Sequence, residues 1–164
     1  MNKIFEKLTN QLTETIDSGV ALALHNKNQE VEVIHLIWAL LTNTNSVLNQ
    51  LLNKMNVNKA ALELEAKSYA QKLPSVSNVT KESIKLSRNL HSSLQNAEGL
   101  MTSFGDKFIA VDTWLISNFD SQIMKDVLGK YLDLREAKKE LEAMRAGKTI
   151  DSSSSDENLE ALNK

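Results

Sequence analysis

Two stretches of the chain carry nearly the same pattern. "NKNQEVEVIHLIWAL" covers residues 26–40 and "FGDKFIAVDTWLI" covers residues 104–116. With His35 laid on Asp112 the offset is 77 residues (112 minus 35), and Val31 then meets Phe108, Ile34 meets Val111, Ile37 meets Trp114 and Trp38 meets Leu115. A duplicated unit restricts the fold severely. Neither half can cover its own apolar face, so the two must close one core against each other.

The unit reads as helical. One proline and five glycines leave few positions for breaks or left-handed turns. Phe5, Leu8, Leu12, Ile16, Gly19 and Ala23 recur at spacings of three and four and predict a first helix over residues 3–25. After a polar break, a short helix carries His35, Leu36, Ala39 and Leu40. "TNTNS" then offers caps for "VLNQLLNKM". Asn58 caps a helix striped by Leu62, Ala66, Tyr69 and Leu73, which Pro74 stops. "SVSNVT" (75–80) separates two half-units, about 1–74 and 80–145. The order then repeats. A long helix from near Thr80 carries Leu86, Leu90, Leu94, Ala97 and Met101, and "AVDTWLISNF" is the short one. Asp120 or Ser121 caps the next, and the last carries Tyr131, Leu134, Ala137, Leu141 and Met144. The expectation is a compact all-α domain over residues 1–145 with approximate internal two-fold symmetry.

From Ala146 the composition changes. "AGKTIDSSSSDENLEALNK" predicts a flexible linker over residues 146–164, with "NLEALNK" beginning a further helix.

Catalytic and metal motifs fail on inspection. "AGKT" lacks the glycine a phosphate loop requires at position 142, where Glu142 stands, and a helix precedes it instead of a strand. The simpler reading is a helix stop at Gly147. His25 and His35 have no third ligand beside them. Asp17, Ser18 and His35 supply triad residue types without a nucleophile elbow. The absence of cysteine excludes thiol catalysis, and a net charge of −2 gives no reason for a nucleic-acid or anionic-membrane partner. A binding module is expected rather than an enzyme, with no cofactor and no metal.

"VIHLIWALL" (33–41) and "AVDTWLISNF" (110–119) resemble the double N-terminal repeat of the Clp/Hsp100 family of hexameric ATP-driven unfoldases. "KLTNQ" (7–11), "GDKFIAVD" (105–112) and "AMRAGKTIDSSSSDENLEALNK" resemble its disaggregase branch, where the last stretch leads to a first ATPase module. The resemblance implies an eight-helix domain of two repeats that contacts unfolded or aggregated protein. It implies ATP and magnesium for the whole protein, help from the Hsp70 system, a homohexameric ring, a monomeric domain and a cytoplasmic location. By motif it carries substrate contacts onto Thr9, Asp106 and Asp112, beside an apolar groove with Leu94 and Leu100. Thr9 lies one helical step from the apolar stripe and also reads simply as a boundary residue of its helix. Thr113 stands where the family tends to an apolar residue, which implies a shallower groove. Ala110 replaces an expected serine cap. Two alternatives stay open: an adaptor- or degron-docking domain of a protease-associated relative, and a stand-alone helical scaffold.

Overall fold

The computed structural model describes residues 3–146 and 148–156. The first unit contains α1 (Asn10–His25), α2 (Val33–Thr42), α3 (Val47–Lys54) and α4 (Lys59–Gln71). The second contains α5 (Arg88–Phe104), α6 (Val111–Asn118), α7 (Gln122–Val127) and α8 (Leu134–Arg145). The eight-helix, two-repeat architecture expected from the duplication is present.

The register of the duplication is one residue away from the offset read in the sequence. α2 begins at Val33 and α6 at Val111, an offset of 78 (111 minus 33). The N-caps of α1 and α5 are Thr9 and Ser87, again 78 apart (87 minus 9). His35 is therefore equivalent to Thr113, and Ile34 to Asp112. The sequence match slipped because α2 buries every residue from Val33 to Leu41. In such a run an apolar residue meets an apolar residue at several registers. After α2 and α6 the offset falls to 75, as the caps Ser46 and Ser121 (121 minus 46) and Asn58 and Asp133 (133 minus 58) show.

The two units exchange their entry segments. β1 (Glu30–Val31) pairs in parallel with β2 (Lys85–Leu86), with Val31 opposite Leu86. Leu8 makes a parallel bridge to Ile109. The second contact is the image of the first under the 78-residue shift. Thr9 N–H donates to Ile109 O at 3.0 Å, and Ser87 N–H donates to Val31 O at 2.9 Å. The start of α1 thus lies beside the start of α6, and the start of α5 beside that of α2.

One core fills the space between the units. Leu12, Leu36, Leu48, Leu62, Leu90, Leu94 and Trp114 are fully enclosed in it. α1 approaches α2 closely at Gly19, where a Cβ would lie 3.0 Å from Leu36 Cδ1. The equivalent position in the second unit is Ala97, also fully buried.

Three helix boundaries are corrected. The first helix is broken: a 3-10 turn (Lys3–Lys7) precedes α1, because Thr9 is extended and bonded to Ile109. The long helix of the second unit starts at Arg88 instead of near Thr80, since Leu86 is held in β2 and Ser87 Oγ accepts the Leu90 N–H. Likewise Tyr131 precedes α8, which Asp133 caps by accepting from Arg135 and Glu136 N–H. The stretch 148–156, read as part of a flexible linker, lies against the domain with Ile150 and Asp156 buried. Composition misses this because one apolar side chain and a row of backbone hydrogen bonds are enough to dock it. The helix stop expected at Gly147 and the further helix at residues 158–164 lie outside the described residues.

His35 is buried and neutral. Its Nδ1 accepts the Glu32 N–H at 2.8 Å, so Nε2 carries the proton and donates to Asn28 Oδ1 at 2.8 Å. Burial lowers its pKa to about 4. A histidine with a lowered folded pKa binds fewer protons folded than unfolded. Its contribution is therefore intact above the unfolded pKa and lost as pH falls from about 6.5 to about 4, a loss of roughly 3 kcal/mol. Urea unfolding of wild type and His35→Gln across this window should show the steeper decline in wild type. Equal slopes would show that the imidazole is not held neutral.

Candidate functional site

Backbone pairing of Leu8 with Ile109 sets the amino-terminal ends of α1 and α6 side by side. Thr9 caps α1, its Oγ1 accepting the Leu12 N–H at 3.2 Å. The same hydroxyl donates to Asp156 Oδ2 at 2.8 Å. α6 has no cap from its own Ala110. Asp156 supplies one from 45 residues downstream, its Oδ2 accepting the Val111 N–H at 3.4 Å. A carboxylate here faces the positive ends of two helices.

Asp106 comes to the site by a tight helix exit. Gly105 ends α5 in the left-handed region (φ 74), where a side chain would be strained, and Asp106 N–H donates back to Met101 O at 3.0 Å. Asp106 Oδ2 then receives Arg145 Nη2 at 2.7 Å, and its Oδ1 accepts the Ile150 N–H at 3.0 Å. Arg145, in the last turn of α8, is only 6% exposed and lies 4.2 Å over the Phe104 ring. Its Nη1 donates to Thr113 Oγ1 at 3.2 Å and stands 3.9 Å from Asp112 Oδ1. Thr113 in turn donates to Asp112 Oδ1 at 3.3 Å.

Arg145 thus balances buried carboxylates on two sides. Burial raises the Asp112 pKa, while Arg145 and the Thr113 hydrogen bonds oppose the rise. Burial also raises Asp156, to about 6, with Asp112 adding to the rise and Thr9 and Val111 opposing it.

Residues 148–156 pass over this cluster, irregular as far as Asp151 and then folded into a turn in which Ser155 N–H donates to Ser152 O at 3.3 Å. Lys107 N–H donates to Ile150 O at 2.8 Å and Asn10 N–H to Ser153 O at 2.7 Å. With Ile150 N–H on Asp106, the segment is held by backbone and carboxylate groups at both helix ends.

The structure brings Thr9, Asp106 and Asp112 together, and all three are buried, Thr9 completely. Thr9, read as a boundary residue of its helix, is a buried cap inside the cluster. The apolar residues expected beside them are elsewhere. Leu94 is fully enclosed in the core. Leu100 lines a separate open groove of about 710 Å³ with Ile116, Phe119, Leu132 and Leu134. Thr113 does not shape a groove; its hydroxyl belongs to the polar cluster. Sequence reasoning missed Arg145 and Asp156. Arg145 sits in a charged run that reads as a solvated face, and Asp156 in a serine-rich one. The unfilled cap at Ala110 was a signal that some other group must serve α6. Among the described residues, no three His, Cys, Asp or Glu side chains are grouped to hold a metal, and no helix is long and apolar enough to cross a membrane.

Comparison with known proteins identifies the fold and the family. A family model described as "Clp repeat (R) N-terminal domain" matches residues 7–131. The chaperone protein ClpB of Wolinella succinogenes is 55% identical over 160 residues, covering 98% of this chain and 19% of that protein. ClpB of Helicobacter hepaticus is 49% identical over 161 residues, with the same coverages of 98% and 19%. The chain therefore spans about a fifth of the length of these curated relatives. Among solved structures, the Hsp104 N-terminal domain from Candida albicans superposes with a TM-score of 0.79 at 19% identity, covering 92% of this chain and 99% of that one. A complex of the ClpV N-domain with VipB peptide gives a TM-score of 0.64 at 18% identity, covering 85% and 88%. The resemblance carried by the two repeats is borne out: the chain belongs to the family of Clp repeat N-terminal domains.

Proposed function

We propose that this domain receives unfolded or aggregated polypeptide for a cytoplasmic, hexameric, ATP-driven disaggregase, with Thr9, Asp106 and Asp112 at the contact. In this reading the domain itself is not catalytic and acts as a monomer. ATP and magnesium belong to ATPase modules of the whole protein, which the Hsp70 system assists. One observation carries the reading: the cluster already holds a run of polypeptide without helix or strand, residues 148–156, mainly through backbone groups. A site that grips backbone does not read side-chain sequence closely, which suits a receiver of many unfolded chains.

A second reading has its own observation. The groove with Leu100, Ile116, Phe119 and Leu132 is also lined by charges of both signs, Lys125, Arg135 and Lys138 with Asp120 and Asp133. It would suit a docked adaptor or degron, as in a protease-associated relative. Nothing favours a stand-alone scaffold.

Amide chemical shifts of the full chain, titrated with reduced carboxymethylated α-lactalbumin (a permanently unfolded protein), separate the two. The expected result is movement at Thr9, Asn10, Asp106 and Asp112. Movement confined to Leu100, Phe119 and Lys125 would replace the first reading with the second.

A further inference from the structure

We propose that the cleft between the starts of α1 and α6 is a site for an acidic peptide segment, and that residues 148–156 occupy it within the chain, so that client and this strap exclude one another. The inference rests on the client-site reading above and names both its ligand chemistry and its regulation.

The strap defines what the cleft accepts. Ile150 is 2% exposed and Asp156 is 1% exposed, six positions apart (156 minus 150). Between them the chain is gripped by main-chain groups: Lys107 N–H on Ile150 O, and Asn10 N–H on Ser153 O. Ile150 N–H reaches the Asp106 carboxylate at 3.0 Å. At the far end the Asp156 carboxylate takes the Thr9 hydroxyl and the Val111 N–H. The matching ligand is a segment with one apolar side chain and, six residues further on past a tight turn, a carboxylate. Among the described residues, Asp156 Oδ1 is buried with no hydrogen-bond partner. The strap therefore fills the cleft without satisfying every polar atom, which weakens its hold and favours exchange.

The same residues proposed to touch client are thus already engaged. Thr9 and Asp106 donate to or accept from the strap directly. A client must displace it, and the apparent affinity falls by the fraction of molecules in which the strap is docked. Acidity should shift that balance. Asp156 faces Thr9 from α1, Val111 and Asp112 from α6, with Asp106 and Arg145 in the adjoining cluster. A carboxyl whose folded pKa is raised is favoured in its neutral form. Docking is therefore strongest in acid and weakens as pH rises through about 4 to about 6.

Two measurements test the proposal. The first compares affinity for reduced carboxymethylated α-lactalbumin in wild type and Ile150→Asp. Placing a charge in the Ile150 seat beside Asp106 undocks the strap, and affinity should rise about tenfold. In that background Thr9→Ala should lower affinity roughly two- to twelvefold, the value of one hydrogen bond. The second requires no variant and so stands even if Ile150→Asp fails to fold. In wild type, saturating client should speed amide exchange at Ile150, while Asn10 and Lys107 stay protected because client replaces the strap on them. Unchanged affinity in a folded Ile150→Asp, or an Ile150 amide still protected under client, overturns the strap. If the shift changes still map to Thr9 and Asp112 in that event, the client site survives alone. If they map to the Leu100 groove, both ideas fall.

Discussion

Arg145→Ala should destabilise the domain by about 3–5 kcal/mol, the usual cost of stripping one partner from a buried ion pair. The side chain is 7% exposed and its partner Asp106 carboxylate is fully buried, 2.7 Å away. Without the guanidinium, Asp106 keeps only the Ile150 N–H, and Asp112 keeps only Thr113. For a chain of this size the melting temperature should fall by roughly 6–20 °C. Lysine should not restore it. A single ammonium does not reproduce the donation to both Asp106 and Thr113, nor the guanidinium stacked on Phe104. Two controls identify the cause. The deficit should narrow as pH falls, because burial already raises Asp112 and its protonation removes an unbalanced charge. It should also shrink in Arg145→Ala/Asp106→Asn, giving clear non-additivity between the two substitutions. A cost below about 1 kcal/mol at neutral pH would show that the pair behaves as a solvent-exposed one.

Trp114→Ala should cost a similar amount, about 3–5 kcal/mol, by a different route. The indole is fully buried at the contact of α5 with α6, and its Nε1–H donates to Ser93 Oγ at 2.9 Å. Truncation leaves a cavity lined by a close-packed core, and removes the hydrogen bond. Ser93 retains its own donation to Leu90 O, so the loss is mainly one of packing. Trp114→Phe should recover more than half of the stability. Urea unfolding should show a lowered midpoint with an unchanged slope. Because α6 carries Asp112 and Thr113, the same variant should loosen the polar cluster. A Trp114→Ala protein as stable as wild type would place the indole outside the core.

The two sites fail differently when read from sequence. Trp114 was legible as core because its neighbours repeat at helical spacing and its partner stretch lies in the other half. Arg145 was not. "DLREAKKELEAMR" has the composition of a solvated face, and Lys138 and Lys139 are indeed on the surface. Arg145 differs only in its neighbours, which come from α5, α6 and the residues between them.

What the sequence alone determined is therefore what depends on near neighbours. Helical spacing, cap residues such as Ser46, Asn58 and Ser121, the stop before Pro74 and the duplication all act within a few positions of the chain. They were sufficient for the helices, the two units and the family. The one-residue slip in register marks the limit, since an all-buried α2 offers no polar landmark to align. What only the tertiary structure decided depends on pairing between the units. The parallel bridge of Leu8 to Ile109 brings two helix starts together, and that junction gives Thr9, Asp106 and Asp112 a common place. It also creates the seat for residues 148–156. Serine-rich composition predicts a loose chain because it counts apolar side chains. It takes no account of waiting backbone donors, an empty helix cap at Ala110 and a cleft that fits one isoleucine.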